Sequence, residues 1–96
     1  MDMNAISREK ACEIANAWGL NDQQRKQLLD QPDAASQVVT INDALYRIFE
    51  MNQVRANAWV KKPNAAFDKR SALDLMLSGD IDRVREYVMY QLYNGY

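Results

Sequence analysis

Gly19, Pro32, Pro63, Gly79 and Gly95 are the only glycines and prolines in the 96-residue chain. Each follows a stretch whose apolar residues recur every three or four positions. This pattern suits helices punctuated at their ends, because glycine accepts the left-handed backbone of a helix stop and proline cannot continue the hydrogen-bond ladder. No stretch alternates polar with β-branched residues for long enough to predict a strand. The sequence therefore predicts an all-α fold, a small single-domain bundle of about five or six helices.

The punctuation and the capping residues predict the helices one by one. The first runs from Asn4 or Ser7 to Trp18, with Ala11, Ile14, Ala15 and Trp18 on one face, and stops at Gly19. Asn21 caps a second helix, with Gln24 three residues on as in a capping box, and Pro32 ends it. Asp33 to Val39 forms a short third helix. Thr40 with Asp43 is a capping box opening the longest helix, whose face carries Ile41, Leu45, Ile48, Phe49, Asn52, Ala56 and Trp59. Pro63 closes that helix, and Asn64 to Lys69 is a loop with Phe67 as its apolar plug. Ser71 with Asp74 caps a short helix through Leu73, Met76 and Leu77 to Gly79. Asp80 caps the last helix, whose core stripe is Ile81, Val84, Val88 and Leu92.

Composition narrows the function. A chain of this size buries roughly two thirds of the surface its unfolded form exposes, so it supports one core. Twelve Lys and Arg against thirteen Asp and Glu give a formal charge of −1, which argues against a bulk nucleic-acid binder. There is no histidine, and Cys12 is the only cysteine. Histidine-based catalysis, a transition-metal site and an intramolecular disulfide are thus excluded or left without ligands. The three glycines stand too far apart for a phosphate-binding loop. Asp74, Asp80 and Asp82 are explained by capping and solvation. No enzymatic activity, cofactor or membrane partner is expected. The N-terminus lacks the apolar run of a signal peptide, and one reduced cysteine reads as cytoplasmic.

Ala15 to Val39 has the proportions of a helix-turn-helix, but its expected recognition segment, Asp33 to Val39, holds no Lys or Arg. Residues 1–40 set Arg8, Lys10, Arg25 and Lys26 against Asp2, Glu9, Glu13, Asp22, Asp30 and Asp33, a net −2 where phosphates would be met. The N-terminal half therefore reads as a degenerate helix-turn-helix that binds operator DNA weakly, if at all, on its own.

The C-terminus is unusually rich in tyrosine. Tyr87, Tyr90, Tyr93 and Tyr96 recur every three residues, and each such step rotates by about −60° around a helix. Val84, Val88 and Leu92 already supply the core stripe. The outer rings either form a partner surface or cover the rim of the core. Arg83 and Arg85 upstream either pair with acidic groups of a partner or are simply solvated.

The run Trp59-Val60-Lys61-Lys62-Pro63-Asn64, then Phe67, then Ser71-Ala72-Leu73-Asp74-Leu75-Met76, Gly79, Val84 and Gly95, follows one known pattern. It resembles the toxin-binding domain of the Xre/MbcA/ParS-like bacterial antitoxins. In that family a helix ends in Trp, a Pro-Asn loop carries Phe, a Ser-Pro-Leu-Asp turn enters a short helix, and a terminal helix closes with Gly. The likeness covers roughly Ile41 to Tyr96, preceded by a shortened Xre-type region, and divides the chain into residues 1–40 and 41–96, packed as one domain. Two turn positions depart from it: Asp68 where the family commonly has Gly, and Ala72 where it commonly has Pro.

The resemblance implies an antitoxin that neutralises a cognate toxin, frequently a RES-type enzyme that consumes NAD. It further implies homodimers and, in some members, promoter binding by the upstream helices. The terminal segment of the family approaches the toxin's active-site entrance, and the matching positions here are Tyr93, Asn94, Gly95 and Tyr96. Together with Arg83 and Tyr90 these are the expected toxin-binding residues. Trp59, Pro63, Asn64, Phe67, Ser71, Leu73, Asp74 and Gly79 are the expected structural motif. The competing reading is an Xre-type transcriptional regulator whose C-terminal half only dimerises; a helical scaffold without a toxin is the third.

Overall fold

The computed structural model describes residues 3–94. Six α-helices follow one another there: α1 (Met3–Ala17), α2 (Asp22–Leu29), α3 (Ala34–Ile48), α4 (Gln53–Trp59), α5 (Ala72–Leu77) and α6 (Ile81–Tyr93). Helix α3 lies at the centre and packs against both α1 and α6, while α5 closes against α6. Trp18, Leu28, Val38, Ile41, Leu45, Val60, Phe67, Leu75, Met76, Val84 and Val88 are buried in one continuous core. Two glutamines, Gln27 of α2 and Gln31 just beyond its end, join the halves of the chain. Gln27 Nε2 donates to the Leu77 carbonyl at 2.8 Å, and Gln31 Nε2 adds a second donor to the Met76 carbonyl at 2.9 Å, both at the end of α5.

Three helices end in the same way. After α1, the Leu20 N–H donates to Ala15 O and the Gly19 N–H to Asn16 O. After α5, Asp80 N–H donates to Leu75 O and Gly79 N–H to Met76 O. Both pairs form Schellman motifs around a glycine with positive φ, 85° at Gly19 and 99° at Gly79. The third follows α3, where Met51 N–H donates to Tyr46 O at 2.7 Å and Glu50 N–H to Arg47 O at 3.1 Å. Here Glu50, with φ 54°, occupies the glycine position, and Met51 follows at φ 68°.

This third stop corrects the expected long helix from Thr40 to Pro63. Thr40 lies inside α3, and α3 absorbs the expected Asp33 to Val39 helix. Ala34, Val38, Ile41, Ala44 and Leu45 form one buried stripe with no breaker between them. Burial of that stripe outweighs the N-capping preference of a single threonine, worth about 1 kcal/mol. Helix α3 thus runs across residues 40 and 41 without a break. A new helix begins at Asn52, whose side chain accepts from Arg55 N–H.

Other boundaries also move. Helix α1 starts at Met3, so Asn4 and Ser7 lie within it and are not its caps. The Asn21–Gln24 capping box is present in both directions. On α5 the buried face is Ala72, Leu75 and Met76, leaving Leu73 and Leu77 half-buried. Leu92 is half-buried at the rim of the core, and Asp80 stands at the start of α6 without a side-chain cap bond.

Candidate functional site

The loop after α4 is a miniature hairpin, not irregular coil. Pro63–Asn64 (β1) pairs antiparallel with Arg70–Ser71 (β2), and a 3₁₀ turn, Ala65–Phe67, lies between them. Asn64 Oδ1 accepts from Ala66 N–H at 2.8 Å, and Lys69 N–H donates to Asn64 O at 3.0 Å. Asp68 and Lys69 follow with φ of 57° and 69°. Asp68 thus takes the left-handed conformation of the position where the resemblance led one to expect glycine, and Asp is among the residues that tolerate it. The other departure, Ala72, is the first residue of α5, behind Ser71, whose Oγ accepts from Asp74 N–H at 3.0 Å. Proline is common at that first helical position and alanine is compatible with it.

Phe67 is the hairpin's anchor and is buried. Its ring meets Tyr87 edge-on at 5.1 Å and Trp59 edge-on at 6.2 Å, while Trp59 and Tyr87 stack. Arg83 faces this cluster. Its guanidinium carbon lies 5.7 Å from the Phe67 ring centre, its Nη2 donates to the Ala66 carbonyl at 3.0 Å, and it pairs with Asp68 at 3.6 Å. The structure therefore places Arg83 against the hairpin of its own chain.

The tyrosines of α6 divide as the helical rotation requires. Tyr87 is half-buried in the aromatic cluster. Tyr90 and Tyr93, one and two three-residue steps further round the helix, turn away from the core and are 63% and 76% exposed. Asn94 ends the helix by donating from its backbone N–H and its Nδ2 to the Tyr90 carbonyl, at 2.9 and 3.0 Å. The structure brings together Tyr90, Tyr93 and Asn94 at one end of α6 and leaves Arg83 about two to three turns upstream. Gly95 and Tyr96 lie outside the described residues. Trp59, Phe67 and Tyr87 meet in the cluster, with Leu73 half-buried nearby: the Leu73 N–H donates to the Val60 carbonyl at 2.9 Å and ties α5 to the end of α4.

Residues 44–93 match the family described as the antitoxin Xre/MbcA/ParS C-terminal toxin-binding domain. The chain belongs to that family. The match runs from within α3 to the last residue of α6 and takes in the hairpin, the aromatic cluster, Tyr90 and Tyr93. The chain is also similar to the uncharacterized protein y4oB of Sinorhizobium fredii, 42% identical over 62 residues. That alignment covers 62% of this chain and 47% of the relative, so the chain spans about half the length of the curated relative it matches. No solved structure matches it.

Beside the cluster, the toxin-binding domain has a second feature that the sequence reading passed over. Leu45, Ile48, Phe49, Trp59, Tyr87, Val88 and Gln91 line a pocket of about 90 Å³ between α3, α4 and α6. Phe49 and Trp59 also wall a neighbouring pocket of about 150 Å³, completed by Arg55, Ala58 and Lys62. The exposed Met51 and Val54, 74% and 79% accessible, lie at the start of α4. The signal available in the sequence was the run Met51 to Phe67, which has three cations and no carboxylate. Among the described residues no helix is long and apolar enough to cross a membrane, and no three carboxylate or cysteine side chains gather as metal ligands do.

Proposed function

We propose that this protein is the antitoxin of a type II toxin–antitoxin system and captures its toxin with the C-terminal end of α6. The observation that supports this reading most directly is the exposure of Tyr90 and Tyr93 on a helix of a toxin-binding domain. Tyrosine is favoured at interfaces because its ring buries a large area while its hydroxyl keeps a hydrogen-bond partner. Neither ring is needed by the core, which Ile81, Val84 and Val88 already fill. The contact residues on this reading are Tyr90, Tyr93, Asn94, Gly95 and Tyr96. Arg83 contributes by bracing the hairpin two to three turns upstream of them, since its Nη2 is engaged by Ala66 and Asp68 within the chain.

The proposed toxin is a RES-type enzyme that consumes NAD, and the proposed working form of the antitoxin is a homodimer. The antitoxin itself performs no chemistry on this reading: a short terminal segment carried on a rigid helix blocks entry to a small-substrate cleft. Operator binding is a secondary property, weak in the free protein, because Asp33 to Val39 offers phosphates no cation. The test is co-expression with the enzyme encoded by the adjacent reading frame. Stoichiometric co-purification, and restored growth that is lost on substituting Tyr90 and Tyr93, support the proposal. Specific operator binding with no toxin capture would replace it with the regulator.

A further inference from the structure

We infer that two neighbouring pockets, the one between α3, α4 and α6 and the one completed by Arg55 and Lys62, together dock an acidic polypeptide segment that inserts one large apolar side chain into the first. Protein interiors leave few voids larger than a water molecule, and an unfilled apolar void forfeits the dispersion contacts of its lining. The pocket of about 90 Å³ is lined by Leu45, Ile48, Phe49, Trp59, Tyr87 and Val88, together with the Gln91 amide. Such a lining favours an apolar occupant over water, which needs two to four polar partners.

Size and charge narrow the occupant further. Pockets of about 90 and 150 Å³ are smaller than the roughly 300–1,000 Å³ of small-molecule sites, and they suit single side chains. A nucleobase needs a free aromatic face for stacking, and Trp59 already spends one of its faces on Tyr87. Residues 51–73 carry Arg55, Lys61, Lys62, Lys69 and Arg70 against Asp68 alone, a net +4 in a chain whose total is −1. Among the described residues neither Arg55 nor Lys62 is paired with a carboxylate. Arg55 holds its guanidinium over the Phe49 ring, 5.2 Å from the centre, and Phe49 is a wall that the two pockets share. On α4, Arg55, Ala58 and Trp59 follow at three- and four-residue spacing and line the second pocket together. A segment with carboxylates flanking a Leu, Phe or Trp matches both parts of this surface. The inference does not rest on toxin capture by Tyr90 and Tyr93, neither of which lines these pockets.

The test is a selection of random twelve-residue peptides displayed on phage against the full chain, followed by fluorescence anisotropy of fluorescein-labelled winners. Enrichment of Asp and Glu around a single Leu, Phe or Trp is expected. The double variant Arg55→Glu/Lys62→Glu should bind those peptides at least about tenfold more weakly. Its thermal melt should match that of the parent, and Arg55→Ala/Lys62→Ala serves if the charge reversal unfolds it. Tyr90→Ala/Tyr93→Ala should leave peptide binding unchanged, which separates this surface from the toxin-facing end of α6. Winners without an acidic bias, no saturable binding, or equal binding by the charge variants would overturn the inference. So would a duplex oligonucleotide that binds more tightly than any peptide and is released by the same variants.

Discussion

Trp59 and Tyr87 stack with 6.1 Å between ring centres and 9° between their planes, while Phe67 abuts both rings edge-on. Three separate elements, the end of α4, the hairpin and α6, are joined by this cluster. The rings are unequal in burial, and that sets the first expectation. Phe67 is buried and Trp59 is half-buried. Replacing a buried Phe by Ala typically costs about 3–5 kcal/mol, a large share of the ~5–15 kcal/mol a domain has. Phe67→Ala should therefore leave little folded protein at 37 °C, and Trp59→Ala should cost less. Urea unfolding followed by far-UV circular dichroism checks the order; a larger loss for Trp59→Ala would show that the hairpin hangs on Trp59.

The stop after α3 gives a second expectation, of opposite sign. Glu50 occupies the glycine position of a Schellman motif, where a residue with a β-carbon pays roughly 1–2 kcal/mol for the left-handed backbone. Glu50→Gly removes that strain but adds freedom to the unfolded chain, so a net gain of about 0.5–1 kcal/mol is expected. Gly79→Ala, at φ 99°, should lose stability. A melting temperature lowered by Glu50→Gly would mean that the glutamate makes a compensating contact.

These stops also show why the fold was only partly legible. Gly19 and Gly79 carry the left-handed residue of their motifs openly, and both helix ends were read correctly. The third motif uses Glu50, whose side chain announces nothing, so α3 and α4 were read as one helix. Thr40 and Asp43 misled in the other direction: they have capping-box spacing, yet they lie exposed in the middle of α3, whose buried stripe of Val38, Ile41, Ala44 and Leu45 runs past them unbroken. The hairpin escaped because two residues per strand are too few to show alternation. At the site, the three-residue rotation implied only that the rings spread around α6; that Tyr87 enters the cluster depends on Trp59 and Phe67, which lie far from it in sequence. The intrachain role of Arg83 depends on Ala66 and Asp68, seventeen and fifteen residues away, and no local pattern encodes it.

Acid should weaken one tie between the first two helices. The Lys26 ammonium, 2.8 Å from the Asp30 carboxylate, holds that group below its ordinary pKa, with Arg8 adding to the effect at 3.6 Å. A carboxyl depressed in the folded state adds stability that is present above its unfolded pKa. That contribution is lost as pH falls through the lower folded value. Asp30→Asn should therefore lower the melting temperature slightly at pH 7 and leave it unchanged near pH 2. Equal effects at both pH values would assign Asp30 a role other than charge.

Free protein should bind its own promoter weakly and without sequence preference. Ser36 and Thr40 are exposed along the first turns of α3, but no Lys or Arg stands among residues 33–39. Nanomolar binding at physiological salt that scrambled DNA does not reproduce would place the regulator ahead of the antitoxin. The measurement needs free protein, because a toxin that gathers several antitoxins raises avidity without any new contact to DNA.

The final expectation separates inhibition from folding. Tyr90 and Tyr93 are exposed, and exposed substitutions away from caps and cores usually change stability by no more than about 0.5 kcal/mol. Tyr90→Ala/Tyr93→Ala should melt with the parent yet fail to protect cells expressing the toxin. Removing Asn94 to Tyr96 should act in the same direction. It costs α6 the two bonds from Asn94 to the Tyr90 carbonyl, which frays one turn and leaves the core at Val84 and Val88 intact. A blocking segment needs few residues when a rigid helix aims it, so inhibition should be more sensitive than affinity. The truncated protein should still co-purify with toxin through the remaining face of α6, but with the enzyme active. Full protection by the truncated protein would move the inhibitory surface off the end of α6, and Lys61 to Arg70 would be the next segment to substitute.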